Sequence, residues 1–301
     1  MRTGKGDHDL SEMYVVRNIY KDKAHNYIYR QGKANFSQGS LAHDLINIIK
    51  EGGVMPEAVY SGLLENEKSH NHSEMEAGMK GYLDGILSSK KLSKKWMAGL
   101  DGILDAYMGE VEEEFTYDGK KYTASKLASA LKIDADDYMS LTSFTHHPFD
   151  ESFILEIPDN YSNGSFRNIP LDKMMSTIDK ALENGYTIAW DGDVSEKGFD
   201  AKKGIAVLPK NPSRKDLFDE PGMELEVTQE IRQENFENLS TTDDHLMHIL
   251  GKAEDQNGTP YYIVKNSWGA ISPYKGYLYM SESYLAMKTI SIMVHKDAVG
   301  M

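Results

Sequence analysis

Apolar residues between positions 41 and 49 recur at the spacing of one helical face, at Leu41, Leu45, Ile48 and Ile49, and predict a helix there. Ser40 in front of them has the side chain of an N-cap, Gly52-Gly53 stops the pattern, and Pro56 lies just beyond. The first sixty residues as a whole read as helical, and residues 74 to 108 carry the same periodicity. Tyr117-Asp118-Gly119-Lys120 then sets a tight turn between two short strand-like runs, ahead of a helix at Ala124 to Leu131. From Phe153 the texture changes. Phe153 to Ile157 is strand-like, and Leu171 to Leu182 predicts a last helix that ends at Gly185. Beyond it the runs are short and rich in β-branched and aromatic residues: Tyr186 to Trp190, Gly204 to Leu208, Leu246 to Gly251, Tyr261 to Lys265, Lys275 to Met280 and Thr289 to Val294.

This pattern predicts an α+β chain, mainly helical over residues 1–185 and β-rich over residues 186–301, the second part shaped as a half-barrel or sandwich. With no internal repeat, low-complexity tract or Pro-rich linker, the two parts are expected to pack as lobes of one unit. A cleft between lobes is a common place for a site.

Composition narrows the function. A chain of 301 residues, 40% hydrophobic and 27% charged, can bury a sizeable core. Its 33 Lys+Arg against 47 Asp+Glu give a net charge of -14, which repels phosphate backbones and anionic membrane surfaces. Nucleic acid is therefore not an expected partner. No stretch approaches the ~18 apolar residues of a membrane span, and no apolar run follows the positive charge at Met1-Arg2-Thr3-Gly4-Lys5. The visible chain reads as cytoplasmic, or as secreted or periplasmic if a signal has been lost. Cysteine is absent, so these residues hold no disulfide, no thiolate metal site and no thiol nucleophile.

The sharpest chemical signal lies near the carboxyl end. His245 begins one predicted strand, and after the turn Asp255-Gln256-Asn257-Gly258-Thr259-Pro260 a second strand, Tyr261 to Lys265, delivers Asn266-Ser267-Trp268-Gly269. A hairpin would bring His245 and Asn266 together. An amide acceptor on one ring nitrogen fixes the tautomer that lets a histidine move protons near neutral pH. An indole such as Trp268 over the pair would exclude water and strengthen the hydrogen bond. Asp244, directly before the histidine, is expected to support it.

These residues resemble the papain-like cysteine peptidases, in which a His and an Asn of an Asn-Ser-Trp-Gly run serve a cysteine thiolate. The run Pro273 to Glu282 and the tail Lys288 to Asp297 resemble the bleomycin hydrolase and aminopeptidase C branch more particularly. The resemblance implies a papain-like fold and a thiol aminopeptidase acting on peptides, with His245 as acid/base, Asn266 as its orienter and Trp268 as the shield. At the other end, Arg2-Thr3-Gly4 and Leu10-Ser11-Glu12 resemble the stretch that leaves the family's central helix. The nucleophile and the oxyanion-binding glutamine would then precede Met1, and this chain is expected to be inactive alone. Asn35 to Ser40 resembles the strip that lies along a bound peptide, which makes Gly39 a candidate for substrate binding. The branch contains ring-like hexamers, so the resemblance also implies a homo-oligomer, and its own C-terminus enters the cleft.

Two other readings compete. A non-catalytic module could keep the peptide cleft and bind without turnover. A metal hydrolase could use His245 and His248 with Asp243 or Asp244, His70-Asn71-His72, or His146-His147. On a strand, however, positions 245 and 248 face opposite sides, as do 146 and 147, while His70 and His72 lack a nearby third ligand. No metal and no cofactor are expected.

Overall fold

A run of helices separated by capped loops begins the computed structural model, which describes residues 3–89 and 91–299. Helix α1 (Glu12–Tyr29) starts where the Ser11 hydroxyl accepts the Tyr14 amide at 2.9 Å, with Glu12 in its first turn. Helix α2 (Ala42–Gly52) begins one residue after the expected start. There the Asp44 carboxylate accepts from the Leu41 amide at 2.9 Å and from the Ser40 hydroxyl at 3.0 Å. The helix ends at Gly53, whose φ of 84° explains the glycine. Helices α3 (Ser73–Leu87) and α4 (Trp96–Met108) face each other through Met75, Met79 and Leu83 against Leu100, Leu104 and Met108. These six side chains recur every fourth residue and are buried, each contributing roughly 1.5–3 kcal/mol. Strands β1 (Phe115–Tyr117) and β2 (Lys120–Tyr122) form a hairpin whose Asp118 and Gly119, at φ 48° and 73°, make the two-residue turn suited to strand twist. Helix α5 (Ala124–Leu131) adds Leu127 and Leu131 to the same core.

Residues up to Asp136, with Pro158–Gly164, form one compact unit; Asp137–Ile157 and the residues from Ser165 onward form the other. The second holds strands β3 (Tyr138–Thr142), β4 (Ser152–Ile154) and β5 (Ser165–Asn168), helix α6 (Leu171–Glu183), and strands β6 (Ile188–Gly192), β7 (Phe199–Asp200) and β8 (Ile205–Ala206). It continues with α7 (Gln229–Glu237), β9 (His245–Glu254), β10 (Pro260–Lys265), β11 (Tyr277–Ser281), α8 (Glu282–Lys288), β12 (Thr289–His295) and α9 (Lys296–Val299). Residues 137–157 and 165–185, expected in the mainly helical part of the chain, belong here because β3 pairs with β12 and carries β5 and β4 beyond it.

Among the described residues ten strands make one open sheet in the order β4-β5-β3-β12-β6-β9-β10-β11-β8-β7, which does not close into a barrel. Its core gathers Trp190, Ile249, Val264, Met280 and Ile292 with Met174 and Ile178 of α6. The Trp190 indole, fully buried, donates to Thr289 Oγ1 at 2.7 Å. Arg232 of α7 is buried too and donates to the carbonyls of Ser143, Ala286 and Met287, the last two at the end of α8. Among the described residues no helix is long and apolar enough to cross a membrane.

Each unit yields a stability prediction. Burial, and then the carboxylates of Glu51 and Asp44, push the Asp22 carboxyl up to about 6. An unfolded aspartate ionises near 3.9, so the folded unit binds the proton more tightly, and stability falls as pH rises from about 4 through about 6. Asp22→Asn is expected to flatten the melting temperature over that window and to raise it at neutral pH; a melting curve with the parent's pH dependence would refute this. In the sheet, a Cβ at Gly192 would sit 2.3 Å from the Lys288 carbonyl oxygen and 2.3 Å from the Trp190 ring. Gly192→Ala should therefore lower the unfolding free energy by about 1–3 kcal/mol, and an unshifted denaturant midpoint would show that β6 moves freely.

Candidate active site

His245 opens β9, which is paired on both sides: with β6, where His245 faces Gly192, and with β10, where the last pair is His248 with Lys265. Continuing that antiparallel ladder brings residues 266–268 alongside His245. The Asn266 amide nitrogen donates to the Gly276 carbonyl at 3.0 Å, which closes the loop that carries Trp268.

His245 Nε2 lies 2.8 Å from Asn266 Oδ1. The Ser267 backbone N–H also donates to Oδ1, at 2.7 Å. A backbone donor at that distance must face an oxygen, so the orientation of the amide is fixed. It follows that Nε2 carries the hydrogen and donates to Oδ1, leaving the Nδ1 lone pair to accept a proton. The Trp268 ring lies over the histidine, centroids 4.6 Å apart at 33°, and meets Phe199 edge-on at 6.2 Å. Asn266 is 7% exposed and Trp268 is 46% exposed, so the indole covers the hydrogen bond while showing its outer face to solvent. The Asn266 Nδ2 atom is buried without a partner, an uncompensated polar burial.

The approach to His245 is pinned by buried charge. Lys288 is 2% exposed, and its ammonium donates to Glu196, to the Ser240 carbonyl at 2.5 Å and to Asp193 at 3.4 Å. Asp193 accepts the Thr242 amide at 3.2 Å and both donors of Ser195, at 2.8 and 2.7 Å. Burial alone would raise the Asp193 carboxyl, but the Ser195 hydrogen bonds and the Lys288 ammonium hold it below its ordinary range. Sequence reasoning passed over this pair, although a lone lysine between the apolar runs Tyr284–Met287 and Thr289–Val294 is a signal that a buried anion waits for it.

The structure brings His245, Asn266 and Trp268 together. Asp244 lies in the preceding loop, where it accepts the Thr242 hydroxyl at 2.8 Å. His248 faces the other side of β9, as alternation requires, with Nε2 2.6 Å from the Thr187 hydroxyl. Gly39 belongs to the first unit. Its φ is +93°, its carbonyl accepts from Lys23, and a Cβ there would lie 2.0 Å from the Asp159 carboxylate. His70 and His72 stand edge to face, ring centroids 6.1 Å apart. Arg2 of the amino-terminal stretch, and Gly300 and Met301 of the tail, lie outside the described residues.

The chain is 25% identical to aminopeptidase G of Lactobacillus delbrueckii subsp. lactis over 288 residues, covering 86% of this chain and 63% of that protein. It is 28% identical to aminopeptidase E of Lactobacillus helveticus over 224 residues, 69% of this chain and 49% of that one. The chain thus spans less than two thirds of the length of these relatives. The crystal structure of PepW from Lactobacillus rhamnosis HN001 superimposes with a TM-score of 0.74 at 18% identity, covering 99% of this chain and 74% of that one. The fold is papain-like α+β, with one large sheet that does not close into a barrel. The Peptidase C1-like family model matches residues 106–301, which include the second unit's sheet and the His245–Asn266 pair, and the chain belongs to that family.

Proposed function

We propose that this chain carries the histidine–asparagine half of a thiol peptidase site acting on peptides from their amino end. His245 is the acid/base, Asn266 holds its tautomer, and Trp268 keeps water from the bond between them. The single observation that carries this reading is the 2.8 Å contact of His245 Nε2 with an Asn266 oxygen whose identity the Ser267 amide fixes. In such chemistry the imidazole stabilises a thiolate and later returns a proton to the leaving amine. Nδ1 is the atom that would do so, first taking the thiol's proton on its lone pair and then giving it up. The aminopeptidase names of the relatives support the amino-end preference.

No cysteine occurs among the 301 residues, so the thiol is not theirs to supply. A nucleophile removed from such a site leaves only residual catalysis from binding. The same absence favours a second reading, in which the chain binds peptide without turning it over.

The deciding measurement is hydrolysis of aminoacyl fluorogenic substrates, by this chain and by a version extended at its amino end with a papain-like segment that supplies a cysteine. The chain alone is expected to be inactive and the extended version active, with His245→Ala and Asn266→Ala each lowering turnover by roughly 10²-fold or more. Peptide bound by an inactive extended version would favour the non-catalytic reading. Turnover by the unextended chain would overturn the thiol assignment.

A further inference from the structure

The turn after β3 carries two adjacent histidines whose rings converge on one carboxylate. His146 Nε2 lies 3.3 Å from Glu156 Oε2 and His147 Nε2 lies 2.9 Å from Glu156 Oε1; one ligand atom from each residue falls within 4.8 Å of the others. Neighbours on a strand could not do this, because their side chains leave on opposite faces. Residues 145–147 form a turn and bend instead, and the ring centroids come within 4.8 Å at 61°. The expectation that His146 and His147 diverge therefore fails on its premise.

Both rings are held before any ligand arrives. His147 stacks on Phe153 of β4 at 4.1 Å and 22°, and His146 lies parallel to Phe236 of α7 at 5.6 Å and 16°. Glu156 follows β4 by two residues, so the donors come from two separately anchored segments. With metal–ligand bonds of about 2.0–2.2 Å, the donor atoms of a tetrahedral ion stand roughly 3.3 Å apart, close to the 3.3 and 2.9 Å between each Nε2 and its carboxylate oxygen.

We propose that His146, His147 and Glu156 form a binding site for a divalent cation of the Zn²⁺ class. Two imidazoles and a carboxylate suit Zn²⁺, Co²⁺, Ni²⁺ or Cu²⁺ better than Mg²⁺ or Ca²⁺, and three protein ligands leave a fourth position to water. Each ring ligates through Nε2 and keeps its proton on Nδ1. At His146 this has an opponent. Its Nδ1 is 3.1 Å from Gln233 Nε2, in an amide whose Oε1 accepts the Thr145 N–H at 2.6 Å and whose Nε2 also donates to Glu237 at 2.9 Å. That donor favours the proton on Nε2, and the ion must displace it. The site is accordingly one of moderate affinity, and an occupied site ties the turn to the end of β4 and stabilises the second unit.

Titration of the full chain with ZnCl₂ by calorimetry, and with CoCl₂ by visible absorption, tests this. One ion per chain is expected, with the intense d–d bands of four-coordinate cobalt and an affinity that falls on acidification as protons compete. His147→Asn and Glu156→Gln, at partly or fully exposed positions, should each weaken binding by about tenfold or more and abolish the zinc-dependent rise in melting temperature. His70→Asn should leave the affinity as it is. In a Glu237→Gln background, which restores a donor to the group that Gln233 Nε2 now serves, Gln233→Glu, whose carboxylate accepts from both the Thr145 N–H and a His146 Nδ1–H, should tighten binding by about tenfold. An absence of binding, or binding that His70→Asn removes and His147→Asn leaves intact, would overturn the site; a Gln233→Glu variant that binds no tighter in that background would overturn ligation by His146 Nε2.

Discussion

Strand β9 is held from both sides, and the candidate site depends on that constraint. On one side β6 pairs Gly192 with His245, and on the other β10 pairs Lys265 with His248. A slip of one residue on either side would turn His245 to the opposite face and carry it away from Asn266. The register is corrected once, by the irregularity between Ile263 and Val264, just before the chain leaves β10 for the Asn266 loop. The buried faces of β9 and its two neighbours, with Ile249, Trp190 and Val264 among them, make any other register expensive because it would expose them. The geometry of the candidate site is a consequence of core packing several residues away.

Much of this was legible in the sequence where local chemistry decides the outcome. The helix after Leu41, its stop at Gly53, the Asp118-Gly119 turn, the helix from Ala124 and the pairing of His245 with Asn266 all follow from residues near one another along the chain. The illegible parts are those decided by distant partners. Strands β3 and β5 have no strong alternation, and they exist because β12 and then β3 offer them free edges. Helices α7 and α8 were likewise missed. The mean polarity of α7 hides Arg232, whose guanidinium is committed to carbonyls more than fifty residues away.

Buried charge is the common thread among the misses. Composition marks Lys288, Asp193 and Arg232 as surface residues, since such side chains are rarely buried unless paired. Ser195 beside Asp193 apart, their partners lie 48 to 95 residues away, so no short window of sequence contains both halves. The turn at His146 and His147 fails for a related reason. Alternation was assumed for a segment that Phe153 and Phe236, from other elements, hold in a bend.

The open sheet has one more consequence. Its two margins are β4, three residues long, and β7, two residues long. A margin that short offers an incoming strand only a few unpaired amides and carbonyls, too little to nucleate extension into a neighbouring molecule. The longest strands, β9 and β12, are enclosed by partners on either side. A sheet of ten strands thereby keeps its most adhesive backbone in the interior of the row, protected against runaway polymerisation without having to close into a cylinder.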